Sequence, residues 1–276
     1  KKIGTIPDFD INLEKGMYFS ESFNTNNLEV FLNKEFSDNF NVPRNYLNYI
    51  LSLPTSKNIC LFSIDHEIIG FIHGREIKLV IDQRSHKMFY VDYLCVDKEL
   101  RNKNIAGVII ANFLQSFQSD ESFLFKIEKY PLPFKHLIKT KYFCKVLQNK
   151  KIEKKNVKLV SEENNIDEVY NYFSNLLKRY KIYVDWNKKK FIDVFLREKI
   201  LDMIIIEGEF KSLIIGKTNT YKIEKNYYKC FEIDFILGDL NDGINIDKEL
   251  SEYLGNLSYK YYTIPNIGEH EIFIKK

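Results

Sequence analysis

The 276-residue chain has only four cysteines, at positions 60, 95, 144 and 230. Their wide separation excludes a zinc knuckle and a disulfide framework, and it suits a reducing compartment in which each thiol is a small buried hydrophobe. An excess of charge of one sign is also lacking. The 41 Lys and Arg against 38 Asp and Glu leave a net of +3, too little for an electrostatic footprint on nucleic acid. The basic runs Lys188-Lys189-Lys190 and the stretch from Lys150 to Lys155 are short and read as solvated faces. No apolar run approaches the length of a membrane span, and the opening KKIGTIPDFD lacks the apolar core of a secretion signal. His66, His73, His86 and His136 have no metal-ligand spacing, and no Ser-His-Asp or Cys-His arrangement is visible locally. These absences lead to the expectation of a cytoplasmic, monomeric protein that needs no metal.

What the chain does have is apolar and aromatic substance. Hydrophobic residues make up 45% of it, with 22 Phe and 18 Tyr, enough for one large domain or two ordinary ones with substantial cores. Phe62, Phe71, Phe89 and Phe113 are expected first as core and only second as the lining of a fatty-acyl pocket. Periodicity predicts helices over 27–36, with Leu28, Phe31, Leu32 and Phe36 on one face, and over 43–51, with Tyr46, Leu47, Ile50 and Leu51 together. Strands follow at 58–64, from 68 to as far as 81, and at 90–96, with Asp65-His66-Glu67 as a hairpin turn. A helix over 105–117 and a strand over 122–127 complete this half.

After the charged stretch 150–156 the order is echoed. Helices are predicted over 166–180 and 190–197, then strands over 201–206, 210–215 and 229–237, with a tight turn at Glu207-Gly208-Glu209. The expected class is α/β (α+β), two topologically similar halves, 1–155 and 156–276, each a mixed sheet flanked by helices. No sequence identity links the halves.

The segment FYVDYLCVDKELRNKNIAGVIIANFLQSFQ, Phe89 to Gln118, carries the chemistry. A buried strand meets a helix through a basic, amide-rich turn, so backbone N–H groups and the positive end of the helix dipole converge beside cationic side chains. Arg101, Asn102, Lys103, Asn104, Ile105 and Ala106 are therefore candidates for holding phosphate oxygens. The spacing Arg-x-x-Asn-x-Ala resembles the acyl-CoA pyrophosphate loop of GNAT-type N-acyltransferases, with Asn104 where that superfamily usually has Gly. Asn tolerates the left-handed backbone that such a position requires.

The longer run YLCVDKELRNKNIAGVII resembles the signature of the glycylpeptide N-tetradecanoyltransferase, or N-myristoyltransferase, family, whose fold is two GNAT-like halves. Two further segments are similar: Lys141-Tyr142-Phe143-Cys144-Lys145-Val146-Leu147, and Gly255-Asn256-Leu257-Ser258-Tyr259, which matches a strand near the family's C-terminal end. The resemblance implies transfer of a myristoyl group from myristoyl-CoA to the N-terminal glycine amine of a peptide or protein. It implies an oxyanion hole at the backbone N–H groups of Tyr93 and Leu94, and a cofactor site over Tyr93, Leu94, Cys95, Val96 and residues 101–106. It further implies peptide contacts at Tyr142, Gly255, Asn256 and Leu257, and a general base in the terminal carboxylate of Lys276. The chain departs from the family at Asp92, at the shortened acidic loop Phe36-Ser37-Asp38, at Ile127-Glu128, and in a 215–231 segment too short for a helix. Two alternatives therefore stand: a GNAT-type enzyme using a short acyl-CoA, and a homologue that binds acyl-CoA or peptide without turnover.

Overall fold

In a computed structural model, the residues described are 13–36, 42–117, 121–125, 142–147, 157–161, 165–206, 212–223, 225–238, 250–251, 253–255, 257–259 and 261–265. The chain divides into two compact units. The first comprises 1–38, 42–79 and 85–136; the second comprises 39–41, 80–84 and 137–276.

In the first unit, β1 (Tyr18–Ser20), β2 (Ser56–Phe62), β3 (Ile68–Ile81), β4 (Arg84–Val96) and β5 (Phe123–Phe125) form a sheet in the order β1-β2-β3-β4-β5. The β1–β2 and β2–β3 pairs are antiparallel, whereas β4 and β5 run parallel, with Phe89–Val91 opposite Phe123–Phe125. Three helices accompany it: α1 (Thr25–Phe36), α2 (Arg44–Ser52) and α3 (Ile105–Gln115).

The 3.6-residue apolar spacing of α3 buries Ile105, Ile109, Ile110, Phe113 and Leu114 against Ile59, Leu61, Ile69, Ile72 and Val91 of the sheet. Two glycines of β3 make this close approach possible. A Cβ on Gly70 would lie 2.4 Å from Cδ1 of Ile109, and one on Gly74 would lie 2.4 Å from Cζ of Phe113. Phe71, Phe89 and Phe113 are buried core, while Phe62 is half-buried and stacks on Tyr18 with ring centroids 5.2 Å apart.

In the second unit, β6 (Tyr142–Val146), β7 (Val157–Leu159), β9 (Asp202–Ile206), β10 (Ser212–Ile223), β11 (Asn226–Leu237) and β12 (Tyr261–Pro265) form a sheet in the order β6-β12-β11-β10-β9-β7. Among the described residues, β11–β12 is the one parallel pair of this sheet. Helix α4 (Ile166–Leu177) is followed by β8 (Ile182–Val184), α5 (Lys188–Ile192) and a π-helical turn, Asp193–Arg197. The tip of the β3–β4 hairpin belongs to this unit, where Asp82 N–H donates to the Lys181 carbonyl at 2.8 Å.

Two sequence expectations change here. The strands predicted at 210–215 and 229–237 are one long hairpin, because the polar run after Gly216 finds cross-strand partners from Lys217–Glu232 through Ile223–Asn226. The division between units falls near residue 136, ahead of 155, since β6 pairs with β12. The turn expected at 207–209 and the charged stretch 150–156 lie outside the described residues.

His73 is fully buried on β3, its Nδ1 2.7 Å from the Asn58 side-chain oxygen. Burial, reinforced by the charge of Arg75, pushes its pKa down to about 3. An unfolded imidazole takes its proton near 6.5, whereas the folded one resists until about 3, so stability is full above the first value and is lost as pH falls toward the second. Thermal unfolding is expected to show a loss on the order of 3 kcal/mol between pH 7 and pH 4. His73→Gln is expected to flatten that dependence; an unchanged pH profile in the variant would assign the acid sensitivity elsewhere.

Candidate functional site

Strand β4 ends in a backbone irregularity that its sequence does not announce. Tyr93 has φ +51°, a left-handed conformation costing an aromatic residue about 1–2 kcal/mol. Its ring lies 6.5 Å from that of Phe36 on α1 and 6.0 Å from that of Tyr46 on α2, and these contacts hold the strained residue in place. A left-handed residue breaks the regular alternation of N–H directions along a strand and re-aims the peptide groups beside it. The expected oxyanion donors at Tyr93 and Leu94 thus coincide with the irregular point of β4. The strand then continues to Val96, and Asp97 N–H donates to the Ile69 carbonyl of β3 at 3.0 Å.

Asp97 opens the turn. Its carboxylate accepts from Glu99 N–H at 2.9 Å and starts a single 3-10 turn, Lys98–Leu100. Asn102 and Asn104 are both left-handed, at φ +70° and +61°, so Asn104 does adopt the conformation for which the related loops use Gly. Asn104 is the residue before α3, yet its side chain does not cap the helix. Its oxygen instead lies over Gly107, 2.6 Å from where a Cβ would stand. By contrast, Asn165 and Asn187, which precede α4 and α5, accept from Glu168 N–H and Lys190 N–H respectively. The N–H groups of the first turn of α3 are thus left without a side-chain cap, at the positive end of the dipole. Residues 101–104 are exposed, Ala106 is half-buried and Ile105 is buried.

Arg101 is held by the protein itself. Its Nε donates to the Val96 carbonyl at 3.1 Å and its Nη2 to Oε2 of Glu35 at 3.1 Å. Glu35 is a residue the sequence reading missed. Its signal is a carboxylate on the apolar face of α1 with Leu28, Phe31 and Leu32, and all four residues are buried. Cys95 and Cys60 are buried thiols whose pKa burial pushes up to about 12, which favours the neutral thiol at both positions. Cys230 is also buried and free; the Cys144 side chain lies outside the described residues.

In the second unit the structure corrects one element. The described residues of the stretch expected as strand, Gly255 and 257–259, form a helix end, not a strand. Helical backbone runs through 253–255, Ser258 N–H donates to the Gly255 carbonyl and Tyr259 N–H to the Leu254 carbonyl, both at 3.1 Å, with Ser258 left-handed at φ +63°. This 6→1 closure terminates a helix, and it is sealed by Leu254 and Tyr259 in one apolar cluster. Leu257 is exposed on this turn. Tyr142 belongs to β6 and pairs with Pro265. The Tyr142 side chain, Asn256 and Lys276 lie outside the described residues, as do Ile127 and Glu128.

Beside this helix end, Thr218 Oγ1 is 2.6 Å from the Tyr259 hydroxyl and donates to Oδ2 of Asp202 at 3.5 Å. Lys229 Nζ sits 3.9 Å from the centre of the Tyr259 ring. Burial raises the Asp202 carboxyl above its ordinary value, opposed by the Thr218 hydrogen bond and the charge of Lys229. A folded carboxyl raised in this way gains stability as pH falls through its own range and costs stability above it. Asp202→Asn is therefore expected to raise the unfolding temperature at pH 7.5, with the gap closing as the pH is lowered. An unfolding temperature that drops at pH 7.5 would show that the carboxylate is a net stabilising partner of Lys229.

No group of three or more potential metal ligands occurs among the described residues, and no described helix is long and apolar enough to cross a membrane. The sequence profile of the Myristoyl-CoA:protein N-myristoyltransferase N-terminal domain matches residues 12–123. No curated protein matches the chain in sequence. Among solved structures, Saccharomyces cerevisiae N-myristoyltransferase with bound myristoyl-CoA superposes with a TM-score of 0.75 at 13% identity, over 96% of this chain and 77% of the yeast chain. The yeast enzyme with bound myristoyl-CoA and inhibitors gives 0.73 at 14% identity, over 96% and 78%. The profile match spans residues 12–123, less than half of the chain, and the two sheets of the chain follow the fold of the N-myristoyltransferases.

Proposed function

We propose that the chain is an acyl-CoA-dependent N-acyltransferase that moves a myristoyl group from myristoyl-CoA to the N-terminal glycine amine of a peptide or protein, as a monomer in the cytoplasm. The observation that carries this reading is the coincidence, inside the family-matched segment, of a left-handed Tyr93 with an uncapped helix start at Asn104. One supplies re-aimed backbone donors and the other an anion site, eleven positions apart along the chain.

The chemistry needs no covalent enzyme intermediate. The amine nitrogen attacks the thioester carbon, the carbonyl oxygen takes negative charge, and the carbon–sulfur bond breaks to release coenzyme A. Backbone N–H groups at Tyr93 and Leu94 would stabilise that oxyanion; one such donor is worth about 3 kcal/mol in other enzymes. Lys103 and the N–H groups of Asn104, Ile105 and Ala106 would hold the pyrophosphate, with Cys95 and Val96 along the strand that leads to it. A terminal ammonium has a pKa of about 8 and must lose its proton before attack. In this reading a carboxylate close to the amine accepts it, and Tyr142, Gly255, Asn256 and Leu257 contact the peptide.

The test is mass spectrometry of an N-terminal-glycine peptide incubated with the protein and either myristoyl-CoA or acetyl-CoA, with the double variant Arg101→Ala, Lys103→Ala as control. Product from myristoyl-CoA that disappears in the control is the expected result. Product from acetyl-CoA alone would make the protein a short-chain acyltransferase. Absence of product with either donor, despite measurable binding, would make it a binding protein.

A further inference from the structure

The side chain of Glu35 has no exposed surface. A carboxylate so enclosed costs several kcal/mol unless donors meet it. Two of those it has come from the turn after β4: the Lys98 N–H at 2.9 Å and Nη2 of Arg101 at 3.1 Å, both on Oε2. Its other oxygen, Oε1, has the Lys34 ammonium at 3.6 Å. Lys34 reaches across as well, to Asp97 at 3.2 Å, where the turn begins. Helix α1 therefore grips this turn at three points, Asp97, Lys98 and Arg101.

The turn needs such a grip. Two of its residues, Asn102 and Asn104, are left-handed, and each is less comfortable there than Gly by a fraction of the 1–2 kcal/mol that other residues lose, roughly. A short segment with two such residues keeps its shape only where its surroundings over-determine it. Arg101 adds to the restraint. Its planar fork joins the last carbonyl of β4, Val96, to α1, a geometry that a single-point ammonium does not reproduce.

We propose that Glu35 is a positioning residue for the phosphate-binding turn, and that Arg101 serves the turn through Glu35 in place of serving as a phosphate ligand. This deepens the acyl-CoA reading and rests on it. Glu35 neutralises Arg101, so the cation left to the ligand is Lys103, together with the N–H groups at the start of α3.

The two roles of Arg101 give opposite results. Coenzyme A binding would be measured by calorimetry on the full chain for the parent protein, Glu35→Gln, Arg101→Lys, and the two combined. As a positioning pair, Glu35→Gln and Arg101→Lys each weaken binding by at least about tenfold, and the combination is little worse than either alone. As a phosphate ligand, Arg101→Lys keeps the charge and most of the affinity, and Glu35→Gln binds as well as the parent or better; that pair of results would overturn the proposal. Hydrogen exchange at the Lys98 amide, followed without ligand, separates the two readings. Faster exchange in Glu35→Gln, with the unfolding temperature of the rest of the unit retained, is expected, and unchanged exchange would overturn the positioning role. A parent protein that binds no coenzyme A would sink the acyl-CoA reading, with the Lys98 exchange still reporting on the clasp.

Discussion

A charged group removed from water must find its partners inside the protein, and Glu35 finds them in the turn between β4 and α3. That single constraint links three elements whose chemistry the sequence places far apart. Helix α1 supplies the carboxylate, and its neighbour Phe36 supplies one wall of the aromatic contact on Tyr93. The two irregular points of the candidate site, Tyr93 in the strand and Asn104 at the helix start, are thus both braced from α1. Strain near the chemistry and rigidity beneath it belong together, because a left-handed residue persists only where packing forbids its relaxation.

The second unit solves a different problem. Its centre is the long β10–β11 hairpin, in which the register shifts between Ile215 and Gly216. At that shift a Cβ on Gly216 would lie 2.3 Å from the Glu232 carbonyl, so only glycine fits. Beyond it the hairpin turns polar: Glu232 accepts from Asn219 at 2.6 Å and from the Tyr221 hydroxyl, with Lys217 3.4 Å away. Asp202, Thr218 and Tyr259 make a second polar group there. Polar networks of this kind fix register as well as stability, because every member must be satisfied at once.

The strands β2, β3 and β4 and helices α1, α2 and α3 were legible in the sequence because apolar periodicity and turn residues agreed along one continuous stretch. The turn before α3 was legible for the same reason, down to the left-handed tolerance of Asn104. What was hidden depends on distant partners. Glu35 is one polar letter on an apolar face, and its meaning lies in Lys98 and Arg101, the latter 66 residues away. Tyr93 reads as an ordinary aromatic strand residue, since nothing in a linear pattern marks its φ. The hairpin extension past Gly216 was missed because Lys217 to Lys222 looks like loop until its cross-strand partners are known. Gly255 to Tyr259 was expected as strand through its resemblance to a family segment, while the deciding event is the left-handed closure at Ser258.

The central claim is that the start of α3, shaped by the turn before it, is where the nucleotide's phosphates sit. An amide-resolved NMR titration with coenzyme A measures this directly. The account expects the largest shift changes at the N–H groups of Asn104, Ile105 and Ala106, with smaller ones at Tyr93 and Leu94. Binding that leaves residues 101–106 unmoved while shifting amides elsewhere would contradict it.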